Sequence, residues 1–460
     1  MQEEFGYNTK NIYKKEESFG GFYIMKRLCF FLAVLIIVFP VVVRAEEIIQ
    51  KDEVLTLERS VEIALKRQPN ILAAQGNVDI YYARKGQAEA GYYPQVNASL
   101  GYQRFQPSTV STGTSTVGIP GRVGTSHSIE QYSTDVIASQ MIFDFWKTRT
   151  QVNIQKLSAD SAKADLSNTE EQVILNVKQS YYGVLKAKRN LVVAGETVKQ
   201  FQQHLEQAKA FYEVGTKPKF DVTKAEVDLG NAQLNLISTR NSLKIAMVIL
   251  NNALGVPEAP EYQIEDNLSF SQYSISLKEA VDRAYENRPE LRSILLKKKA
   301  TEESMSLAKK GYFPVLNGNA AYSWAGHAFP EGDGWSAGLA LSIPIFSGFS
   351  TKHQISEAKA NLLVLTANEE TLRQSVLLDV QQSYLNLTEA GERITVAELT
   401  AKQAQENFDI ANGRYAAGVG NPIEVTDADV ALSNAKTAHT QALYDYKVAR
   451  ASLEKAMGVR

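Results

Sequence analysis

Two periodicities of apolar residues run through this chain, and they alternate. Four segments repeat every second residue. In the first, Val96, Leu100 and Tyr102 alternate with Asn97, Ser99 and Gln103, and in the third Leu316, Ala320, Tyr322 and Trp324 alternate with Asn317, Asn319 and Ser323. The fourth sets Trp335, Ala337, Leu339, Leu341, Ile343 and Ile345 against Ser336, Gly338, Ala340 and Ser342. The second, near Tyr132 to Phe143, is patterned less cleanly and leaves its register open. These predict strands at about 94–106, 129–143, 314–325 and 335–346. A length of about ten residues suits a membrane-crossing β-strand. Alternation alone fits a soluble sandwich with one wet face slightly better.

The remaining sequence has helical period. Short amphipathic helices are predicted over 56–66 and 276–286, with Pro69 and Pro289 opening the next ones at a tolerated first-turn position. Those second helices end at Tyr93-Pro94 and Phe313-Pro314, because a residue before proline is pushed toward extended geometry. No proline interrupts Trp146 to Tyr212, giving a helix of about 100 Å at about 1.5 Å per residue. Further on, Val222, Ala225, Leu229, Ala232, Leu236, Thr239, Leu243, Ala246 and Leu250 recur at steps of three and four. Val425, Ala428, Leu432, Ala435, His439, Ala442, Tyr446, Ala449 and Leu453 repeat that seam. Between each long helix and its seam lies a Gly followed by a Pro, within 212–221 and 415–424. Glycine past a helix end and proline at the next helix start predict the tip of an antiparallel hairpin.

The chain is thus a tandem duplication. Residues 55–102 align without gaps on 275–322, at an offset of 220 and with 10 of 48 positions identical, among them Pro69/Pro289, Gly91/Gly311, Pro94/Pro314 and Tyr102/Tyr322. Residues 139–256 align on 342–459 at an offset of 203, with Phe143/Phe346, Tyr181/Tyr384, Gly215/Gly418 and Gly255/Gly458 as landmarks. The offset changes within the first copy's Gly-, Ser- and Thr-rich stretch from Pro107 to Ser128, an extra-long loop. The boundaries are 1–45 for a leader, 46–256 for the first repeat and 257–460 for the second.

Composition narrows the class. Mean hydropathy of -0.23 excludes a bundle of transmembrane helices, and a net charge of -2 gives no reason to expect nucleic acid. Met25-Lys26-Arg27, the apolar run Leu28 to Val43 and Val43-Arg44-Ala45 predict a secretory signal, with translation expected to start at Met25 and cleavage after Ala45; the rival, a membrane anchor, has only sixteen apolar residues against the roughly 20 needed to span. The sole cysteine, Cys29, lies inside that run, so the exported chain has no disulfide, Cys-ligated metal or Cys nucleophile. His127, His204, His327, His353 and His439 lack metal-ligand spacing, and no nucleophile elbow or phosphate-binding glycine loop is present. Neither an enzyme nor a cofactor or metal is expected. The turn Glu331-Gly332-Asp333-Gly334 is expected to join two strands, a loop-tip ion site being the unsupported alternative.

The two tips, the Gly-Tyr-Tyr-Pro and Gly-Tyr-Phe-Pro strand starts and Ile345-Phe346-Ser347-Gly348-Phe349 at a strand-to-helix exit resemble the TolC-like outer-membrane efflux proteins. The resemblance covers about residue 50 to the end, in both copies. It implies a mainly α chain with a transmembrane β region. Four strands per chain would join in a homotrimeric 12-stranded β-barrel, continuous with a long α-helical barrel. A small mixed equatorial collar would lie near residues 255–275 and the C-terminus. The function implied is a passive exit duct of a tripartite efflux or type I secretion system, in the outer membrane of a Gram-negative bacterium and extending into the periplasm. The implied partners are outer-membrane lipid, a periplasmic adaptor and an inner-membrane pump of RND, ABC or MFS type. Selectivity would belong to the pump, so drugs, metals, solvents and proteins are all admissible cargo.

Carried residue by residue, the resemblance makes Glu424 and Asp427 an acidic ring at the periplasmic gate. Acids in a helix's first turn also complement the helix dipole, which accounts equally well for Glu424 and its counterpart Asp221 but less well for Asp427. Tyr415 and Asp221 match a hydrogen-bonded latch, although Tyr415 also reads as a helix-end packing residue. Gly420 replaces a basic latch residue of the family. Val214, Gly215, Thr216, Ala417, Gly418 and Val419 match adaptor-contacting tips, where each glycine is also a helix C-cap. The rival class is a secreted coiled-coil scaffold or adhesin, which explains the helices but not the strands inserted at the same place in both copies.

Overall fold

The computed structural model describes residues 49–106, 128–327 and 332–459. The leader and most of the extra-long loop lie outside them. Each copy runs as a short strand, two helices, two long strands, a very long helix and a returning helix, with the first copy's short strand β1 (Val54–Leu55) paired parallel to β4 (Gln263–Ile264) of the second. In the first copy α1 (Leu57–Arg67) and α2 (Pro69–Glu89) precede β2 (Gln95–Phe105) and β3 (Ile129–Phe143), then α3 (Lys147–Glu213) and α4 (Lys219–Leu254). In the second, α5 (Leu277–Asn287) and α6 (Pro289–Lys309) precede β5 (Val315–Gly326) and β6 (Asp333–Ser342), then α7 (Ser350–Ala416) and α8 (Pro422–Ala456). The N-cap hydroxyls of Thr56 and Ser276 accept from Arg59 N and Glu279 N, one orphan donor satisfied at each matching helix start.

The four long strands form one antiparallel sheet in the order β2-β3-β5-β6. Its register settles the second strand. Tyr102, Leu100 and Val96 pair with Tyr132, Thr134 and Ala138, and these pair onward with Gly326, Trp324 and Ala320. Tyr322 meets Trp335 and Gly318 meets Leu339. Directly opposed residues share a face. One face is therefore Val96, Leu100, Tyr102, Val136, Ala320, Tyr322, Trp335, Leu339 and Leu341. The other carries Asn97, Ser99, Gln131, Ser133, Asp135, Asn317, Asn319, Ser323 and Ser336. A bulge between Met141 and Phe143 shifts the register, bringing Phe143 opposite Leu316.

β6 ends at Ser342, four residues short of the alternation that predicted 335–346. Pro344 has no N–H for a ladder and restrains Ile343, so Ile345 and Phe346 leave the sheet. The chain then turns through left-handed residues at the same place in both copies, Phe145 and Trp146 (φ 56° and 62°) and Gly348 and Phe349 (φ 60° and 65°). Each non-glycine costs about 1–3 kcal/mol in that region. Aromatic packing holds the first turn: Phe145 stacks on Phe313 at 5.1 Å and meets Phe143 at 4.8 Å. With Tyr92, Tyr93, Trp146, Tyr312, Phe346 and Phe349 exposed nearby in sequence, one end of the sheet is girdled by aromatics.

The helices form a single curtain. Both long helices have 67 residues, about 100 Å. In the tip-proximal half the packing order is α4-α3-α8-α7, and in the sheet-proximal half α2-α3-α6-α7. The tip-proximal seam residues are buried, Ala225, Leu229 and Ala232 against Phe201, Leu205 and Ala208, and Val425, Ala428 and Leu432 against Phe408, Ala411 and Tyr415, while Val222, Leu236, Thr239, Leu243, Ala246 and His439 are half-buried. Midway, the segment 255–276 wraps the helices as the collar. Tyr446 donates from its hydroxyl to Ser271 O (2.9 Å), accepts from Tyr273 N (2.8 Å) and packs on Phe270, while Arg189 pairs with Asp266 at 2.9 Å. Among the described residues no helix is long and apolar enough to cross a membrane.

Candidate functional site

Both hairpin tips close by the same backbone device. Gly215 N donates to Tyr212 O (2.9 Å) and Thr216 N to Phe211 O (2.9 Å), and Gly418 N to Tyr415 O (2.9 Å) and Val419 N to Arg414 O (3.1 Å). The glycines sit at φ 76° and 77°, the left-handed conformation that this double bond requires. Nothing lies within 4 Å of where their Cβ atoms would be, so conformation alone selects glycine there. Asn421 caps α8 by accepting from Ile423 N at 3.0 Å. Val214, Gly215, Thr216, Ala417, Gly418 and Val419 are all exposed, with the two valines at 71% and 73%.

Beyond the shared turn the tips differ. Glu424 and Asp427 are exposed on neighbouring positions of α8, and Glu424 lies 3.9 Å from Arg414. Their counterparts in the first copy are the buried Asp221 and the cation Lys224, which is held by Asp228 at 2.9 Å. The acidic pair therefore belongs to the second tip alone.

Tyr415 is fully buried, its ring 4.7 Å from His204 and edge-on to Phe211 at 5.6 Å. Its hydroxyl has no hydrogen-bond partner among the described residues. Burial raises its pKa, and the Asp221 carboxylate raises it further. The structure thus brings Tyr415 and Asp221 into one neighbourhood without bonding them within the protomer. Tyr212, at the matching position of the first copy, is 46% exposed.

Gly420 differs from Gly215 and Gly418. A Cβ on it would stand 2.7 Å from Tyr415 N and 2.9 Å from Tyr415 Cα, closer than side-chain carbons approach backbone. A side chain at this position requires the Arg414–Tyr415 backbone to shift. The cation stands at the equivalent place in the other copy, where Lys217 donates to Gly420 O at 3.4 Å and lies 5.9 Å from the Tyr415 ring centre. A second tie between hairpins joins Thr426 Oγ1 to Asp228 Oδ2 at 3.0 Å. Sequence reading missed Lys217, Asp228 and Thr426, although the offset of 203 already sets Lys217 opposite Gly420.

The family model for outer membrane efflux proteins matches residues 61–256 and 280–459, one stretch in each copy. The chain belongs to that family. It is 24% identical over 339 residues to the outer membrane protein TolC of Escherichia coli, covering 70% of this chain and 68% of that one. It is 20% identical over 409 residues to the TolC of Vibrio cholerae, covering 86% and 89%. Among solved structures it matches the Campylobacter jejuni CmeC outer membrane channel with a TM-score of 0.75 at 16% identity, covering 87% and 85% of the two chains. It matches CusC, a transmembrane channel, with a TM-score of 0.75 at 18% identity, covering 88% and 92%. Family membership makes this an outer-membrane efflux duct and sets aside the scaffold reading.

Proposed function

We propose that three copies close edge to edge into one duct, gated where the second hairpin tips converge. The observation that carries this is the pair of open flanks. β2 and β6 are unpaired edges of a sheet with an apolar outer face, and lipid does not tolerate an open edge. The same flanks carry unpartnered apolar side chains on the helices, Leu234, Ile237 and Val248 on α4 and Leu363, Leu385 and Val396 on α7. One protomer's β6 and α7 meet the next one's β2 and α4, and three such joints give twelve strands.

In that assembly Glu424 and Asp427 contribute six carboxylates around the periplasmic entrance. Such a ring favours cations and binds multivalent ones. The exposed valines at the tips of both hairpins support an apolar contact with a periplasmic adaptor, through which an inner-membrane pump delivers cargo. Planar-bilayer recording tests the gate. Replacing Glu424 and Asp427 by Ala weakens cation preference and relieves block by multivalent cations; unchanged selectivity and block at fixed pH exclude the ring.

A further inference from the structure

One face of α8 is given to its own hairpin through Val425, Ala428 and Leu432. A second face, Thr426, Asp429, Ser433 and Lys436, turns toward the first hairpin. Thr426 bonds Asp228 at 3.0 Å, Ser433 meets Thr197 at 3.3 Å and Lys436 pairs with Glu196 at 2.9 Å. Asp429 lies between these rungs, 2% exposed, and its Oδ1 has no hydrogen-bond partner among the described residues. A carboxylate buried this way is unfavourable unless it is paired or protonated.

We propose that Asp429 is a protonation-dependent gating residue, neutral while the two hairpins are packed together and ionised when they part and water reaches the seam. The proposal rests on the gate reading above. No outside reactant is needed, since the proton leaves to solvent as the seam hydrates. Opening a duct at its tip requires the second hairpin to move against the first, and Asp429 sits on the surface that must separate.

The groups turned toward this seam are His204 and Glu196 from α3, Asp221, Lys224 and Asp228 from α4, and Tyr415 from α7. Glu196 and Asp228 are already engaged by Lys436 and Lys224. Burial pushes the Asp429 carboxyl up to about 7, with Lys436 pulling the other way. A group raised in the closed state supports closure fully below the ordinary carboxylate value and loses that support as pH rises through about 7. His204 acts in the opposite sense. It is buried with an unpartnered Nδ1, and burial lowers its pKa despite Asp228, so its support for closure is lost as pH falls. Asp429 therefore governs the alkaline limb and His204 the acid limb.

The test is open probability of the purified assembly in planar bilayers between about pH 5 and about pH 8.5, with Glu424 and Asp427 intact. The expected alkaline limb rises by at most about tenfold per pH unit for each protomer. Asp429→Asn flattens that limb and leaves the channel closed, Asp429→Glu keeps it, and His204→Gln removes only the acid limb. Should Asp429→Asn fail to assemble, Asp429→Thr is uncharged, smaller and expected to give the same flat limb. An alkaline limb unchanged in either uncharged variant overturns the proposal. The acidic ring is judged separately, by cation block at fixed pH, so either idea can fail alone.

Discussion

The two hairpins share a backbone and differ in their neighbours. The α4 helix packs on α3 and, near its C-terminus, on α1, whereas α8 is wedged along its length between α7 and α3. Matching positions record the difference. Leu234 and Ile237 project exposed from α4, and their counterparts on α8 are Thr437 and the buried Thr440. Glu226 is exposed and 3.8 Å from Lys209, while its counterpart Asp429 is buried. Tyr212 is exposed and Tyr415 is enclosed. One copy carries large exposed apolar groups on this face, and the other carries smaller and polar ones in a seam formed within the chain. In the proposed trimer, the unequal copies would separate contacts made within a protomer from those made with the next one.

The strongest way to break this contrast is to charge the flank. Leu234→Asp with Ile237→Asp is expected to abolish the trimer while leaving the monomer's helical content intact. Each such side chain gives about 1.5–3 kcal/mol on burial, and the loss is repeated at every joint. Migration of the unheated protein on a gel and circular dichroism read the two outcomes. A full complement of trimer excludes α4 from the interface.

Next in size is the exchange at the tip. Gly420→Arg places a basic residue at the second tip and drives its side chain into the Tyr415 backbone. The closed tip then loosens, raising leakage of large polar solutes by about tenfold, the effect of about 1.4 kcal/mol. Lys217→Ala removes only a long, partly exposed bond and a distant ring contact, so the expected rise is about two- to threefold. Equal leakage from the two variants dismisses the crowding argument.

Smaller and symmetric effects are expected at Gly215→Val and Gly418→Val. Open space surrounds both positions, so the cost is conformational, about 1–2 kcal/mol at each tip. Efflux with the adaptor present falls while assembly and insertion persist. Failure of the trimer itself removes support for an adaptor contact at these turns.

Most of the architecture was legible because it rests on local rules. Period two, period 3.6, Gly-then-Pro tips and proline stops act within a few residues. The end of β6 was misjudged because the alternation of Ile343 and Ile345 continues past Pro344, whose missing N–H ends the ladder regardless of pattern. At the tips, sequence marked Glu424, Asp427 and the Tyr415–Asp221 pair, but it did not show that Tyr415 is enclosed while its counterpart Tyr212 is exposed. Their difference arises from α3 lying beside the second hairpin, a contact between residues some 200 positions apart. Asp429 escaped notice for the same reason, since nothing adjacent in the chain reveals its burial.

That escape supplies the finest test of the contrast, because Glu226 and Asp429 are one position in two settings. Glu226→Gln removes a solvated charge whose partner is 3.8 Å away and itself exposed. Exposed pairs of this kind contribute roughly 0–1 kcal/mol, so stability is expected to change by less than about 0.5 kcal/mol. Its open-probability curve against pH should overlie that of the parent. If the Glu226 variant instead shifts the alkaline limb, the pH response belongs to acidic residues near the tip in general, and burial beside α3 is not what distinguishes Asp429.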